Sequence, residues 1–184
     1  MPIVIGAKQE SDFSDPIGIL GDCHRRIERF LGVLRKLAAE LEDAALSEEE
    51  RAALATSLRY FRDAAPKHTA DEEESLFPRM RTMADAHTQA VLNRIDALEN
   101  DHKTAKAAHE QVDSLGQTWM NRGRLTPEEA SRLSAVLGEL AVLYERHIAI
   151  EDSDVFPSAA RLLSPADCRA IGLEMAIRRG LPPL

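Results

Sequence analysis

The sequence predicts an all-α protein, an up-down-up-down four-helix bundle with a short extra C-terminal helix. Three observations predict it. Apolar residues recur at alternating spacings of three and four along four long segments, the mark of helices with one buried face. Ser, Thr or Asp before a Pro, or three residues before a Glu, marks the helix starts. Nowhere do apolar and polar residues alternate with the period of two that a half-buried strand needs.

The first 14 residues are polar and irregular and read as a loose arm. Asp15-Pro16 then reads as an N-cap followed by proline at the first helical position. From there Ile17, Leu20, His24, Ile27, Leu31, Leu34, Ala38 and Leu41 carry an unbroken stripe over a first helix of about 16–43. Ser47 with Glu50 forms a capping box that starts a second helix near 48 and carries it to about Phe77. Pro66 lies inside that helix; it removes a backbone donor and collides with the carbonyl of Arg62, so a kink is expected there. Pro78 is expected to end the regular part. After a connection around 79–87, a third helix of about 88–121 carries Val91, Ile95, Leu98, His102, Ala105, His109 and Val112, and closes at Asn121-Arg122-Gly123. Thr126-Pro127 caps a fourth helix with Leu133, Val136, Leu140, Leu143, His147 and Ile150 on one face. Ser164-Pro165 opens a short fifth helix that ends at Gly180. The expected organisation is an arm (1–14), a bundle (15–160) and a C-terminal helix with its tail (161–184). Bundles of this kind build metal sites from facing helices.

Bulk properties narrow the function. A chain of 184 residues supports one domain with a substantial core. Its net charge is −8 and it shows no basic stripe, which argues against nucleic acid as a partner. No apolar run approaches the roughly 18 residues of a spanning helix, so no membrane partner is expected. The opening Met1-Pro2-Ile3-Val4 lacks the basic residues of a secretory signal. Cys23 and Cys168 are isolated and fit neither a disulfide framework nor a thiolate metal site. A cytoplasmic setting is expected.

The most informative feature is a repeat. His68-Thr-Ala-Asp-Glu72-Glu-Glu-Ser-Leu-Phe77-Pro78 returns as His147-Ile-Ala-Ile-Glu151-Asp-Ser-Asp-Val-Phe156-Pro157. Each copy has a lone histidine upstream, His24 lying 44 residues before His68 and His102 lying 45 before His147. Residues i and i+4 share one helix face, so each His-x-x-x-Glu pair aims a nitrogen and an oxygen at one point. A carboxylate can bridge two cations, whereas one imidazole nitrogen serves only one. Four histidines in core slots would be costly to desolvate without a common partner. His24, His68, His102 and His147, with Glu72 and Glu151, are therefore candidate ligands of a dinuclear metal site. Imidazole and carboxylate donors without thiolate favour iron or manganese, with zinc as the alternative.

These residues carry a resemblance. His24, His68-x-x-x-Glu72 with its following Leu-Phe-Pro, His102, and His147-x-x-x-Glu151 with Val-Phe-Pro resemble the hemerythrin, or HHE cation-binding, family over roughly residues 15–160. The resemblance implies a non-haem centre of two iron ions with an oxo or hydroxo bridge, held in a four-helix bundle with Glu72 and Glu151 bridging. It also implies oxygen binding, handling of nitric oxide or peroxide, sensing of gas or iron, or iron–sulfur repair. The family's oxygen carriers place a further histidine one turn after the third-helix ligand and an aspartate at the last carboxylate. Here Ala105 and Lys106 occupy the first place and Glu151 the second. The chain is more similar to the bacterial group with two His-x-x-x-Glu pairs, which includes iron–sulfur repair proteins. The cysteine-bearing N-terminal domain of those proteins has no counterpart in this sequence.

Counting helical layers places the expected open side of the metals at the level of Ile27, Ala64, Ala65, Ala105 and Tyr144. Ala105 leaves room there and Tyr144 presents a hydroxyl, so these two are candidate residues for binding a small diatomic or peroxide ligand. Asp22 and Glu99 are candidate acceptors for the outer nitrogens of His24 and His102. Glu73, Glu74, Asp71, Asp152 and Asp154 read chiefly as a solvated face, with Glu73 as a possible further acceptor. His109 reads as a buried histidine bonded to a neighbour such as Tyr60, or alternatively as a pocket-lining proton shuttle. His87 reads as surface and Cys23 as packing. The fifth helix covers the bundle or forms a dimer contact, leaving monomer and homodimer both open.

Overall fold

The computed structural model describes residues 10–40, 45–83 and 89–182. Leu41, His87 and most of the expected N-terminal arm lie outside them. Among the described residues there is no strand. Helix α1 spans Pro16–Glu40, α2 Glu48–Asp63, α3 Ala65–Ala70, α4 Phe77–Thr82, α5 Gln89–Arg122, α6 Pro127–Ile150, α7 Phe156–Leu162 and α8 Pro165–Arg178. A π-helical turn, Asp71–Leu76, joins α3 to α4, and a second, Glu151–Val155, joins α6 to α7.

The starts obey the capping chemistry. Ser47, Thr126 and Ser164 each accept from the backbone N–H three residues on, while Glu50, Glu129 and Asp167 reach back to the cap backbone. Gly123, at φ 78°, closes α5 in a left-handed conformation that a Cβ would disfavour. Helix α1 packs on α2 and α6, and α5 on the same two. Partners along α2 and α5 run in opposite order, Arg51 to the Met120 carbonyl, Arg62 to Asp113 and then Glu73 to His102.

Two expectations about the second helix change. The break falls at Ala64, a turn that closes α2, and Pro66 sits in the first turn of α3, where its missing donor costs nothing. Pro78 does not end the helix. The preceding π-turn sends the Phe77 N–H back five residues to the Glu72 carbonyl, and α4 continues through Pro78 to Thr82. The second copy repeats this with Phe156, the Glu151 carbonyl and Pro157. Each π-turn thus encloses one glutamate of the repeat, and π-turns of this kind occur often at functional sites.

Two apolar clusters sandwich the repeat residues. One contains Leu20, Leu76, Phe77, Leu98, Val155 and Met175, and is closed by α8. The other contains Ile27, Leu58, Phe61, Val112, Leu137 and Leu140. Helix α8 covers the end of the bundle: Ile171 and Met175 are fully buried, and Gly172 lets the backbone of Phe13 approach where a Cβ would meet its carbonyl oxygen.

Candidate metal centre

All six repeat donors meet between the two apolar clusters. His24, His68, Glu72 and Glu151 form one group whose donor atoms lie within 4.8 Å of one another, and Glu72, His102, His147 and Glu151 form a second. Each group could hold one cation, and the two carboxylates belong to both. His24 comes from α1, His68 from α3, His102 from α5 and His147 from α6, so four helices each contribute one imidazole.

The contacts are those of donors converging on a common point. His24 Nε2 lies 3.0 Å and His147 Nε2 3.2 Å from Glu151 Oε2. His68 Nε2 lies 3.4 Å from Glu72 Oε1, and His102 Nε2 3.3 Å from Glu72 Oε2. The Nε2 atoms of His102 and His147 approach to 3.2 Å. Donors that share a cation about 2.0–2.2 Å from each stand this far apart. Glu72 and Glu151 are wholly buried, yet among the described residues none of their four oxygens takes a hydrogen bond of proper geometry, nor does His24 Nε2. Buried carboxylates left this way are costly unless something positive lies between them, so the donor set fits a pair of divalent cations.

Outer acceptors hold two of the imidazoles. Asp152 accepts from His24 Nδ1 at 2.9 Å, and Glu73 from His102 Nδ1 at 2.8 Å. Glu73 is thus the acceptor that the sequence offers as a further candidate, while the readings of Asp152 as solvated and of Asp22 and Glu99 as acceptors are corrected. Asp22 is buried against Arg25 and the Ser11 backbone, and Glu99 pairs with Arg81, so neither serves an imidazole. The acceptors instead come from the acidic residue that follows the shared glutamate of the other half of the repeat. That signal was available in the sequence: an acid follows the glutamate in both copies, Glu72-Glu73 and Glu151-Asp152. Asp101 lies 3.5 Å from His147 Nδ1, beyond a good hydrogen bond, and His68 Nδ1 has no partner among the described residues.

Asp71 was also misread as solvated. It is wholly buried and held by Arg178 at 2.7 Å and Arg179 at 2.6 Å, both reaching over from the end of α8. Nothing in the repeat announces this pair, because Ile150 stands at the matching place in the second copy. Glu74 and Asp154 are surface residues paired with Arg178 and Arg94.

The electrostatics describe a site that needs positive charge. Burial opposes a charge on His24, but Asp152 and Glu151 outweigh it and push its pKa up to about 10. Burial likewise opposes His102, yet Glu72 and Glu73 carry it up to about 9. Burial and the neighbouring Glu151 raise Glu72 to about 7. Glu151 is buried too, but its contacts with His147 and His24 hold it well below the ordinary range. Burial and the surrounding imidazoles keep His68 neutral. Without a cation, protons on imidazole thus neutralise the carboxylates; a bound cation takes over that role and releases them.

One side of the donors is packed by Leu20, Leu76, Phe77 and Leu98, all without exposed surface. The other opens into a cavity of about 540 Å³ between α2, α3 and α5, lined by all four imidazoles together with Ile27, Ala65, Ala105 and Tyr144. Ala64 is exposed and takes no part in it. His109 lines the cavity as well. Its Nε2 lies 2.9 Å from the Tyr144 hydroxyl and its ring stacks on Phe61, so its partner is Tyr144 rather than Tyr60. The Tyr60 hydroxyl donates to the Cys23 carbonyl, and Cys23 is buried.

The described helices include none long and apolar enough to cross a membrane. Among known proteins, the chain is 29% identical over 177 residues to an uncharacterized protein of Haemophilus influenzae, covering 96% of each chain. The hemerythrin HHE cation-binding domain matches residues 15–159, which take in all six donors and both π-turns. A match over so much of the chain settles its kinship: the protein belongs to the hemerythrin HHE cation-binding family.

Proposed function

We propose that the protein is a non-haem di-iron protein of the cytoplasm that binds a small ligand, O2, NO or peroxide, at a dinuclear site. The single observation that carries this reading is the pair of four-donor groups sharing the buried, unbonded carboxylates of Glu72 and Glu151. In it His24 and His68 serve one cation, His102 and His147 the other, and the two glutamates serve both. Nitrogen and oxygen donors without thiolate suit iron, with manganese or zinc as substitutes.

When bound, two irons supply the electrons for binding or reducing such ligands. The chain's own residues do the rest. Asp152 and Glu73 fix the ring orientation and tautomer of His24 and His102. The packed layer of Leu20, Leu76, Phe77 and Leu98 excludes water from one side, leaving the Ala105 side as the approach. There Tyr144 presents a hydroxyl that can donate to a bound oxygen atom.

A second reading, an enzyme that removes peroxide, O2 or NO, is favoured by one specific observation. His109 and Tyr144 are hydrogen-bonded inside the cavity, and burial lowers the His109 pKa to about 4 and raises that of Tyr144. A neutral imidazole on a phenol is a route for moving a proton between the cavity and a ligand.

Metal analysis with optical spectra, recorded before and after exposure to oxygen, NO and peroxide, tests both readings. Two irons per chain with ligand-dependent spectra are expected, and turnover of peroxide or NO selects the enzyme. A metal content near one per chain, unchanged in His68→Ala and His147→Ala, overturns the dinuclear assignment.

A further inference from the structure

The cavity is far larger than a diatomic ligand requires. A molecule of that size takes roughly the 30 Å³ of a water, whereas organic ligands occupy pockets of about 300–1,000 Å³. At about 540 Å³, the cavity falls in the second class. Its walls away from the metal donors are Leu58, Phe61 and Val112, each nearly without exposed surface and all belonging to the same apolar cluster. Ala65 and Ala105 face it where larger side chains would fill it. Across the donors, by contrast, Leu20, Leu76, Phe77 and Leu98 have no exposed surface.

Inside this apolar space stands one polar couple, His109 with Tyr144. Both residues line the cavity, and the Tyr144 hydroxyl, held by one hydrogen bond to His109 Nε2, has capacity for a second with an occupant. At the rim Arg62 is tied to Asp113 and Glu73 to His102, and Lys103, Lys106 and Glu110 also line the cavity. The chain as a whole carries −8, which repels anions.

The geometry points to a binding site for a neutral, mainly apolar organic molecule of phenol type, its ring against Phe61 and Val112 and its hydroxyl on the His109–Tyr144 couple, beside the metal donors. The site is defined by cavity walls rather than by the metal, so it goes beyond the metal reading and holds whichever cation binds.

Calorimetric titration of the metal-loaded protein with phenol, toluene and benzoate tests it, with metal content measured on the same samples. Phenol is expected to bind most tightly, toluene and benzoate more weakly by roughly 3–10-fold, the order of one hydrogen bond. His109→Phe is expected to weaken phenol by a similar factor and leave toluene unchanged or tighter. Val112→Phe, which fills the space without touching either polar group, is expected to weaken both neutral ligands at least tenfold while metal content stays at its native value. The inference is overturned if phenol fails to bind at millimolar concentration, or if its affinity is the same in all three proteins. Loss of metal with phenol binding intact would overturn the di-iron reading and leave this site standing.

Discussion

His24 and Asp152 are 128 residues apart in sequence, yet the imidazole Nδ1 lies 2.9 Å from the carboxylate, while Nε2 of the same ring faces Glu151 at 3.0 Å. His102 does the same with Glu73 and Glu72. Each half of the repeat therefore orients the lone histidine of the other half, and neither half makes a finished site alone.

The outer acceptors are expected to tune metal affinity. Asp152→Asn and Glu73→Gln keep the shape of the side chain but remove the charge that holds His24 or His102. Each is expected to lower metal affinity about 10–100-fold, measured by competition with a chelator, with helicity unchanged. Asp22→Asn and Glu99→Gln, which touch neither ring, are expected to leave affinity unaltered. Equal effects in all four variants would contradict the assignment of acceptors.

Metal removal is expected to destabilise the bundle while keeping most of its helices. The two apolar clusters still pack, but the two buried carboxylates lose their cation and depend on protons held by desolvated imidazoles instead. A cation at 100 times its Kd contributes about 2.7 kcal/mol, which for a chain of this size is a rise in Tm of roughly 5–11 °C. Thermal unfolding of holo and chelator-treated protein, followed by circular dichroism, checks this. Identical curves would place the cation on the surface.

Steric and hydrogen-bonding contributions on the open side separate in two variants. Ala105→Leu is expected to cut azide affinity for the iron-loaded protein at least tenfold, at a packing cost of about 1–3 kcal/mol. Tyr144→Phe keeps the volume, so azide is expected to bind nearly as before while ligands that accept the Tyr144 hydrogen bond weaken. Optical titration reads both. Azide binding unaltered in Ala105→Leu, with iron intact, would put the approach elsewhere.

His109 gives a pH signature with a definite sign. Its folded pKa is lowered to about 4, against an ordinary value of 6.5, because burial disfavours the charged ring. The unfolded chain takes up that proton as pH falls through 6.5, while the folded chain resists until about 4. The contribution to stability is thus fully present above pH 6.5 and lost between 6.5 and 4, by about 3 kcal/mol in all. In denaturant unfolding of the metal-free protein, the stability of the native sequence relative to His109→Gln is expected to fall by about 2–3 kcal/mol from pH 7.5 to 4.5. A difference that does not change with pH would show that His109 is solvated.

Much of this was legible in the sequence, and the residues show why. The helix starts at Ser47, Thr126 and Ser164 were readable because a cap is local chemistry within four residues. The six candidate ligands stand out because duplication repeats their spacing, and the structure brings all six together. The sequence offers Asp22 and Glu99, neighbours on the same helix, as acceptors for His24 and His102, with Glu73 as a further one, whereas packing supplies Asp152 and Glu73 across the repeat. The π-turns leave little trace in the sequence because one extra residue in a turn keeps the apolar stripe nearly unchanged, and Pro78 therefore reads as a terminator. Asp71 could not be read at all, since its arginines lie more than a hundred residues away and break the symmetry of the repeat.

That broken symmetry bears on the order in which the molecule is made. Chains leave the ribosome N-terminus first, and both halves of the repeat emerge before Arg178 and Arg179. Until those two guanidinium groups arrive, Asp71, next to Glu72 and wholly buried in the finished fold, has no counter-charge. Burial of Asp71 in the first π-turn, next to one of the two shared carboxylates, therefore depends on charges supplied from the far end of α8. The neighbour of one shared glutamate is thus charge-paired by two residues that are translated after all six repeat residues.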